Sequence, residues 1–345
     1  MLKTVEIPLS GHPDKMCDRI VEAILDEYLR RDEKSRVDIQ ALGSHGMIMI
    51  GGSVDSRADF DSASIIQKVY KNIGNQDELE PFINIERPSE DVAKIVVAGG
   101  SQGTTVVHGY ATRETREMMP LAYVYASALA RRIDDLRRTD EAFQWLLPDG
   151  KVQLTMDGKR PVSVTVLVQH APKMELAQMQ MALVDTVITP ILGEVDGLRM
   201  YVNSSGSFCT GGFSACAGAS GRKTLADTYG GLLPSGGGAI SGKDPLKPSR
   251  AGSLMARYAA KNIVASGAVG NILIKVGYSI GQQEPIFIEA VGGKGENLSK
   301  LVKDKYDFRP EAIVERLDLR KPIYQDVANY GYFGRAGVSW ERIEK

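Results

Sequence analysis

Cysteine is scarce in this chain. The three present among 345 residues, Cys17, Cys209 and Cys216, show neither metal-ligand spacing nor the density of a disulfide framework. That excludes a stapled secreted scaffold and fits a reducing compartment, so a cytosolic location is expected. Long apolar runs are missing as well. None approaches the length of a bilayer span, and the N-terminus lacks the basic-then-apolar pattern of a secretory leader. Excess charge of one sign is the third absence: 42 Lys and Arg stand against 43 Asp and Glu, a formal net charge of −1. A nonspecific nucleic-acid or membrane binder is thereby excluded, and basic residues matter only where they cluster.

What is present is a 43% hydrophobic chain, ample for packed cores in two or three domains, and one unusually bare stretch. Gly236-Gly237-Gly238-Ala239-Ile240-Ser241-Gly242-Lys243 runs on into Asp244, Pro245, Lys247, Pro248 and Arg250. Glycine removes the Cβ that would hold a ligand away from main-chain N–H groups, and the lysines set positive charge beside them. With Arg222 and Lys223 just upstream, five cations fall between residues 222 and 250, and Asp227 and Asp244 are acids that could hold a metal against the same anion. A polyphosphate with Mg²⁺ is the expected guest; a basic surface loop without a ligand is the competing reading. Gly237 to Lys243 fits the G-x-x-x-x-G-K of a P-loop, but Asp244 stands where Ser or Thr should ligate the metal, and Pro245 and Pro248 argue against immediate helix entry. The P-loop is rejected.

Elsewhere the periodicity sets out the elements. Met16, Ile20, Val21, Ile24 and Leu25 predict a helix from about Asp14, with His12, Asp14 and Lys15 at its N-terminus, where free N–H groups favour anions. Met47–Ile50 reads as a strand closed by Gly51-Gly52, residues 65–73 as a helix, and 75–91 as a polar connection. Ile95–Val97 reads as a strand before a bare turn, and a long helix carries Leu121 to Ile133. Pro148-Asp149-Gly150-Lys151 reads as a turn into strands at 162–168, followed by a helix over 174–192. The last third has a helix through Leu254 and Ile263, strands at 271–280 and 285–291, and two short helices before Pro322. Half-buried strands each followed by a striped helix predict an α+β protein of three similar domains, residues 1–96, 97–212 and 213–345, with sheets packed on helices.

Several motifs in order resemble methionine adenosyltransferase, the S-adenosylmethionine synthetase family. They are Gly11-His12-Pro13-Asp14-Lys15, Gly109-Tyr110-Ala111-Thr112, Gly221-Arg222-Lys223, Asp227-Thr228-Tyr229-Gly230-Gly231, Gly236 to Pro245, Ala256 to Ala265, and Tyr330-Gly331 with Phe333-Gly334-Arg335. The resemblance implies transfer of the adenosyl group of ATP to methionine sulfur by attack at the ribose 5′ carbon. Tripolyphosphate is expelled and then hydrolysed to phosphate and pyrophosphate. It further implies an active site between the subunits of a homodimer, often paired again into a tetramer, with pseudo-threefold subunits. Position by position, His12 would stabilise the leaving oxygen and Asp14 would ligate Mg²⁺. Lys15, Lys151, Arg222, Lys223, Lys243 and Lys247 would hold phosphates, with Asp149 and Ser241 beside them, and Phe208 would stack on adenine.

Departures from the family pattern gather at the acceptor end. Ser53, Ser101 and Cys216 stand where the family has a glutamate and two aspartates, and Lys94 falls near a family glutamine at the start of a gate that is shorter here. In the family these positions hold the amino acid's ammonium and carboxylate. Charge-assisted hydrogen bonds to an ammonium contribute roughly 1.5–3 kcal/mol each, so their loss should weaken methionine binding unless other groups compensate. Ser249 replaces an aspartate of a second Mg²⁺ site, which leaves Glu6 as the alternative acid, and Gln40 replaces the glutamate of a K⁺ site, which keeps K⁺ as a possible cofactor but puts a K⁺ requirement in doubt. Three readings follow: transfer to methionine, the same transfer to an acceptor without a free ammonium, and a catalytically weak ATP-binding subunit that regulates an active relative.

Overall fold

The computed structural model describes residues 2–91, Lys94 and 100–344. In chain order its elements are β1 (Leu2–Pro8), α1 (Pro13–Arg31), β2 (Arg36–Ser44), β3 (Met47–Asp55), α2 (Ser62–Ile73), β4 (Glu80–Glu86), β5 (Thr105–Thr112), α3 (Leu121–Thr139), β6 (Leu146–Asp157) and β7 (Arg160–His170). There follow α4 (Leu176–Leu183), a π-turn and α5 (Thr189–Leu192), β8 (Arg199–Val202), β9 (Gly218–Ala219), α6 (Thr224–Tyr229), α7 (Pro248–Ala265), β10 (Asn271–Tyr278), β11 (Phe287–Gly292), α8 (Ser299–Lys305), α9 (Pro310–Leu317) and α10 (Tyr324–Val327).

Alternation in the strands decides the layers. Along β2, Val37, Ile39 and Ala41 turn inward while Asp38, Gln40 and Leu42 turn out, so one face packs on helices. Three sheets result, in the orders β1-β6-β7-β8, β4-β3-β2-β9 and β11-β10-β5, mostly antiparallel with parallel pairs at β3/β4 and β7/β8. Each lies on one long helix: α3 covers β1 and β6, α1 covers β2 and β9, and α7 covers β5 and β10. This is a multidomain α+β architecture in which no third of the chain closes its own sheet. The strand β1 joins β6, β5 joins β10, and β9 joins β2.

The sheet faces turned away from these helices carry exposed apolar side chains. Leu42, Met47 and Met49 lie on β2 and β3, Phe82 on β4, and Val106 and Phe287 on the sheet of β5, β10 and β11.

Four expectations change. Residues 80–86 form a strand, not a connection; β4 is a parallel edge partner of β3 with no fully buried residue, only Pro81 and Ile85 being half-buried, so the alternation that would have revealed it is faint. Residues 148–151 lie within β6, where the ladder to β7 shifts register between Leu146 and Gly150 instead of turning. The strand Met47–Asp55 continues through Gly51 and Gly52. The helical stretch 176–192 is broken by a π-turn at Val184–Ile188. The strand expected at Ile95–Val97 lies outside the described residues.

Candidate active site

The N-terminus of α1 is the first focus. His12 is its N-cap, with Pro13 in the first turn and Asp14 behind it. The backbone N–H of Asp14 donates to His12 Nδ1 at 3.2 Å. A ring nitrogen that accepts cannot carry the proton, so the neutral imidazole bears it on Nε2. Burial and the positive charge of Lys223 hold the His12 pKa down to about 3 against the pull of Asp14. The ring is therefore a neutral hydrogen-bond donor at pH 7.

Cations from the C-terminal third converge on the same helix end. The strand β9 crosses it so closely that a Cβ on Gly218 would lie 2.2 Å from the Pro13 carbonyl oxygen. This approach lets Ala219 N–H donate to Asp14 Oδ1 at 2.9 Å. Lys223 Nζ donates to Asp14 Oδ2 at 2.8 Å, and the half-free guanidinium of Arg222 comes within 3.5 Å of Oδ1. Burial pushes the Asp14 carboxyl up, yet Lys223 and the Ala219 N–H together bring it below its ordinary value. From the sheet side, Lys151 lies 3.4 Å from Glu6, its diagonal neighbour across the β1/β6 pair. Asp149 accepts from Gly212 N–H at 2.8 Å, and burial, opposed by that bond and reinforced by Asp14, raises its pKa to about 6. Phe208 sits four residues before Gly212, half-buried and tied to His170 through both backbone groups.

The glycine-rich stretch makes a second focus. Residues 242–244 run beside β2: Ile39 N–H donates to Gly242 O, Asp244 N–H to Val37 O, and Val37 N–H to Asp244 Oδ2. Gly242 has φ +72°, and a Cβ there would meet the Ile39 carbonyl oxygen at 2.2 Å, so only glycine fits. This apposition brings Lys243 and Lys247 onto one carboxylate, Asp38, with Lys247 at 3.0 Å. Ser53 is the cross-strand partner of Asp38. Asp38, Gln40 and Ser53, with Gly51, Gly52 and Ala219, line a cleft of about 600 Å³ on the open face of the sheet.

Between the two foci lies Asp18, fully buried on α1. Its Oδ1 accepts from Gly221 N–H at 2.7 Å and from the Ser241 hydroxyl at 2.6 Å, and its Oδ2 from Lys15 Nζ at 2.9 Å. Lys15 also binds Asp227, whose pKa burial lifts to about 7. One helical turn on, Glu22 takes both bonds of Arg250, which in turn donates to the carbonyls of Ile240 and Lys243. Lys15 and Ser241 thus face the interior, as supports for the two loops.

His12, Asp14, Glu6, Asp149, Lys151, Arg222 and Lys223 fall in the first focus and Lys243, Lys247, Gln40 and Ser53 in the second, while Phe208 is hydrogen-bonded to His170 alone among the described residues. Among the described residues no hydrogen bond or ion pair joins side chains of one focus to those of the other. Ser101 is buried, its hydroxyl on Gly103 O and its backbone on Gln282. Cys216 is exposed near the first focus, with its N–H on Gly212 O. Lys94 is exposed, 3.9 Å from Asp91. Ser249 is buried in the first turn of α7. Sequence reading passed over Asp18, Glu22 and Asp38, and the only signal for them was polar residues on otherwise regular elements.

Family models account for nearly the whole sequence. The N-terminal domain of S-adenosylmethionine synthetase matches residues 1–89, its central domain 97–208 and its C-terminal domain 210–342. The chain belongs to the S-adenosylmethionine synthetase family. It is 38% identical over 392 aligned residues to an S-adenosylmethionine synthase of Petrotoga mobilis, covering 100% of this chain and 97% of that one. With that of Desulforudis audaxviator it shares 38% over 383 residues, 100% of this chain and 96% of the other. With that of Thermus thermophilus it shares 37% over 383, again 100% and 96%. These alignments run longer than the chain, so the relatives carry segments that it lacks. This family member is an enzyme, an ATP-dependent adenosyltransferase that takes ATP and a small-molecule acceptor. No described helix is long and apolar enough to cross a membrane.

The family implies a divalent cation. Among the described residues no group of three or more His, Cys, Asp or Glu could hold one unaided. Asp14 and Asp149 nevertheless suit a cation whose remaining ligands are phosphate oxygens and water. Asp149 is an acid whose pKa is raised partly by the charge of Asp14, so a positive ion beside both would relieve it.

Proposed function

We propose that the enzyme transfers adenosyl from ATP by displacement at C5′, expels tripolyphosphate and hydrolyses it to phosphate and pyrophosphate. The observation that carries this reading is His12: a neutral imidazole with its proton on Nε2, beside Asp14, Lys223 and Arg222. In the displacement, negative charge develops on the oxygen leaving C5′. An Nε2–H fixed by the Asp14 backbone stabilises that charge with no reorganisation, which is where a prepositioned donor has its largest effect. Lys223, Arg222 and Lys151 hold the phosphate chain, and Phe208 stacks on adenine. Asp14 and Asp149, with Glu6 as a further acid, would hold Mg²⁺, which when bound neutralises phosphate charge. Gln40 offers only a neutral amide on the open sheet face, and no K⁺ role is assigned to it.

A site made by two chains is implied by the family and is in keeping with the lack, among the described residues, of any hydrogen bond or ion pair between side chains of the two foci. Lys243 and Lys247 of one subunit would reach the phosphates held by His12, Arg222 and Lys223 of the other, in a homodimer or a dimer of dimers. The exposed apolar faces of the sheets would be the surfaces that meet. Three domains related by approximate threefold symmetry would follow from the exchange of one strand by each third.

Methionine is the acceptor by family membership. A second reading, an acceptor lacking an ammonium, draws support from the neutral side chains at Ser53, Ser101 and Cys216 and the exposed cation Lys94. Incubation with ATP, Mg²⁺ and methionine, followed by mass spectrometry of S-adenosylmethionine and phosphate, separates the two. Product with an ordinary methionine requirement removes the second reading. Tripolyphosphate release only with another thioether, amine or acid removes the first. Absence of adenosyl product with every acceptor would overturn the proposed chemistry.

A further inference from the structure

Away from both foci, α3 and the chain from Ile323 to Val338 line an open pocket of about 700 Å³, a volume typical of small-molecule sites. Its wall is largely apolar, with Met119, Val124, Phe333 and Val338, and two guanidinium groups, Arg131 and Arg335, line it. Arg131 lies over the Tyr330 ring with its carbon 5.2 Å from the centroid. Among the described residues Arg131 has no hydrogen bond or ion pair. Arg335 donates to the carbonyls of Asp326 and Asn329, and its Nε is buried without a partner. Burial and the neighbouring charge of Arg131 lower its pKa. The carboxylates of Glu117 and Asp326 also line the cavity, yet neither is within ion-pair distance of either arginine among the described residues.

The adjoining cavity of about 790 Å³, across the Gly334–Val338 chain, shares Arg335 with this one and is lined as well by Arg116 and Arg342. Its buried cation Lys261 is already paired with Glu341 at 2.7 Å, and Lys321 with Asp318. Two like charges held together in a partly apolar cavity repel each other and are poorly solvated, and an anion gripped by the free fork of Arg131, with its charge set against the backbone-anchored guanidinium of Arg335, relieves both costs. We propose that the cavity between α3 and residues 323–338 is a second ligand site, for a small amphipathic anion with a carboxylate or phosphate head and an apolar body. The head lies between Arg131 and Arg335 and the body against Met119, Val124 and Phe333.

The test uses the full-length enzyme with Mg²⁺ and a saturating non-hydrolysable diimido analogue of tripolyphosphate, so that the basic clusters of the proposed active site stay occupied. Phenyl phosphate, 3-phenylpropionate and inorganic phosphate are then titrated by calorimetry. Saturable binding of one phenyl phosphate or phenylpropionate per chain is expected, with inorganic phosphate weaker, and the tighter of the two aromatic probes identifies the head group. Arg131→Met should weaken that binding by about tenfold or more, the scale of a lost charge-assisted contact. Arg131→Lys, which keeps the charge without the fork, should fall between, and serves as the comparison should the methionine variant fail to fold. No binding of either aromatic probe, binding unchanged in both variants, or inorganic phosphate binding as tightly as phenyl phosphate would each overturn the proposal.

Discussion

His12 is held neutral by its surroundings, and this fixes both its chemistry and its pH behaviour. Its folded pKa of about 3 lies below the ordinary value of 6.5, so between those limits the unfolded chain binds a proton that the folded chain refuses. The contribution of His12 to stability is therefore complete above pH 6.5 and declines as pH falls toward 3. Urea unfolding at pH 5 and pH 8 should show a smaller pH dependence in His12→Ala than in the wild type. The same variant should lose adenosyl transfer by on the order of 10²–10³ while sparing much of the tripolyphosphate hydrolysis, because only the first step develops charge on the departing ribose oxygen. Equal loss of both activities in single-turnover assays would count against the assigned role. Asp149 shifts in the opposite direction. With its pKa raised to about 6, it is increasingly protonated below that pH, and a cation must displace the proton. Binding of Mg²⁺ with a non-hydrolysable tripolyphosphate analogue should weaken below pH 6 with proton release visible by calorimetry in two buffers, and Asp149→Asn should remove the protein's share of that release, leaving only the share of the ligand itself.

At the scale of elements, α1 organises both loops through side chains on one of its faces. Asp18 holds the Gly221 turn and Ser241 together, and Glu22 with Arg250 holds the carbonyls beyond. Asp18→Asn keeps the shape but weakens three bonds, one of them to a buried ammonium. Stability should fall by on the order of 3 kcal/mol in denaturant unfolding, and KM for ATP should rise as both loops lose register. Much of this was legible in the sequence. The N-cap at His12, the α1 stripe and the bare loop at 236–242 are local signals, set by periodicity and by residue chemistry within a few positions. What was not legible is long-range pairing: nothing near Asp38 or Asp18 says that a loop 200 residues away will settle on it. The strand β4 was missed for a different reason, since an edge on which only Pro81 and Ile85 are half-buried leaves too faint an alternation to read.

For the whole molecule, the two separated foci make a prediction about mixed subunits. Lys223→Met and Lys243→Met should each be nearly inactive alone. Coexpressed, half of the dimers carry one variant of each kind, and one of the two sites in such a dimer is intact. Activity should therefore recover to about a quarter of wild type. No recovery would mean that both lysines serve one chain's site. Met49→Asp, on the exposed sheet face, should shift the enzyme to monomers in sedimentation analysis with far-UV dichroism unchanged, and abolish activity.

The strand lent by each third to another sheet also governs how the polypeptide is made. On the ribosome, Leu2–Pro8 remains an unsatisfied edge until Leu146–Asp157 has emerged, and β2 waits longer still for Gly218–Ala219. Nascent intermediates therefore expose backbone that invites stray pairing. Fragments cut at residue 89 or 208 would inherit the same defect permanently, so cleavage there should yield aggregates in place of three soluble pieces.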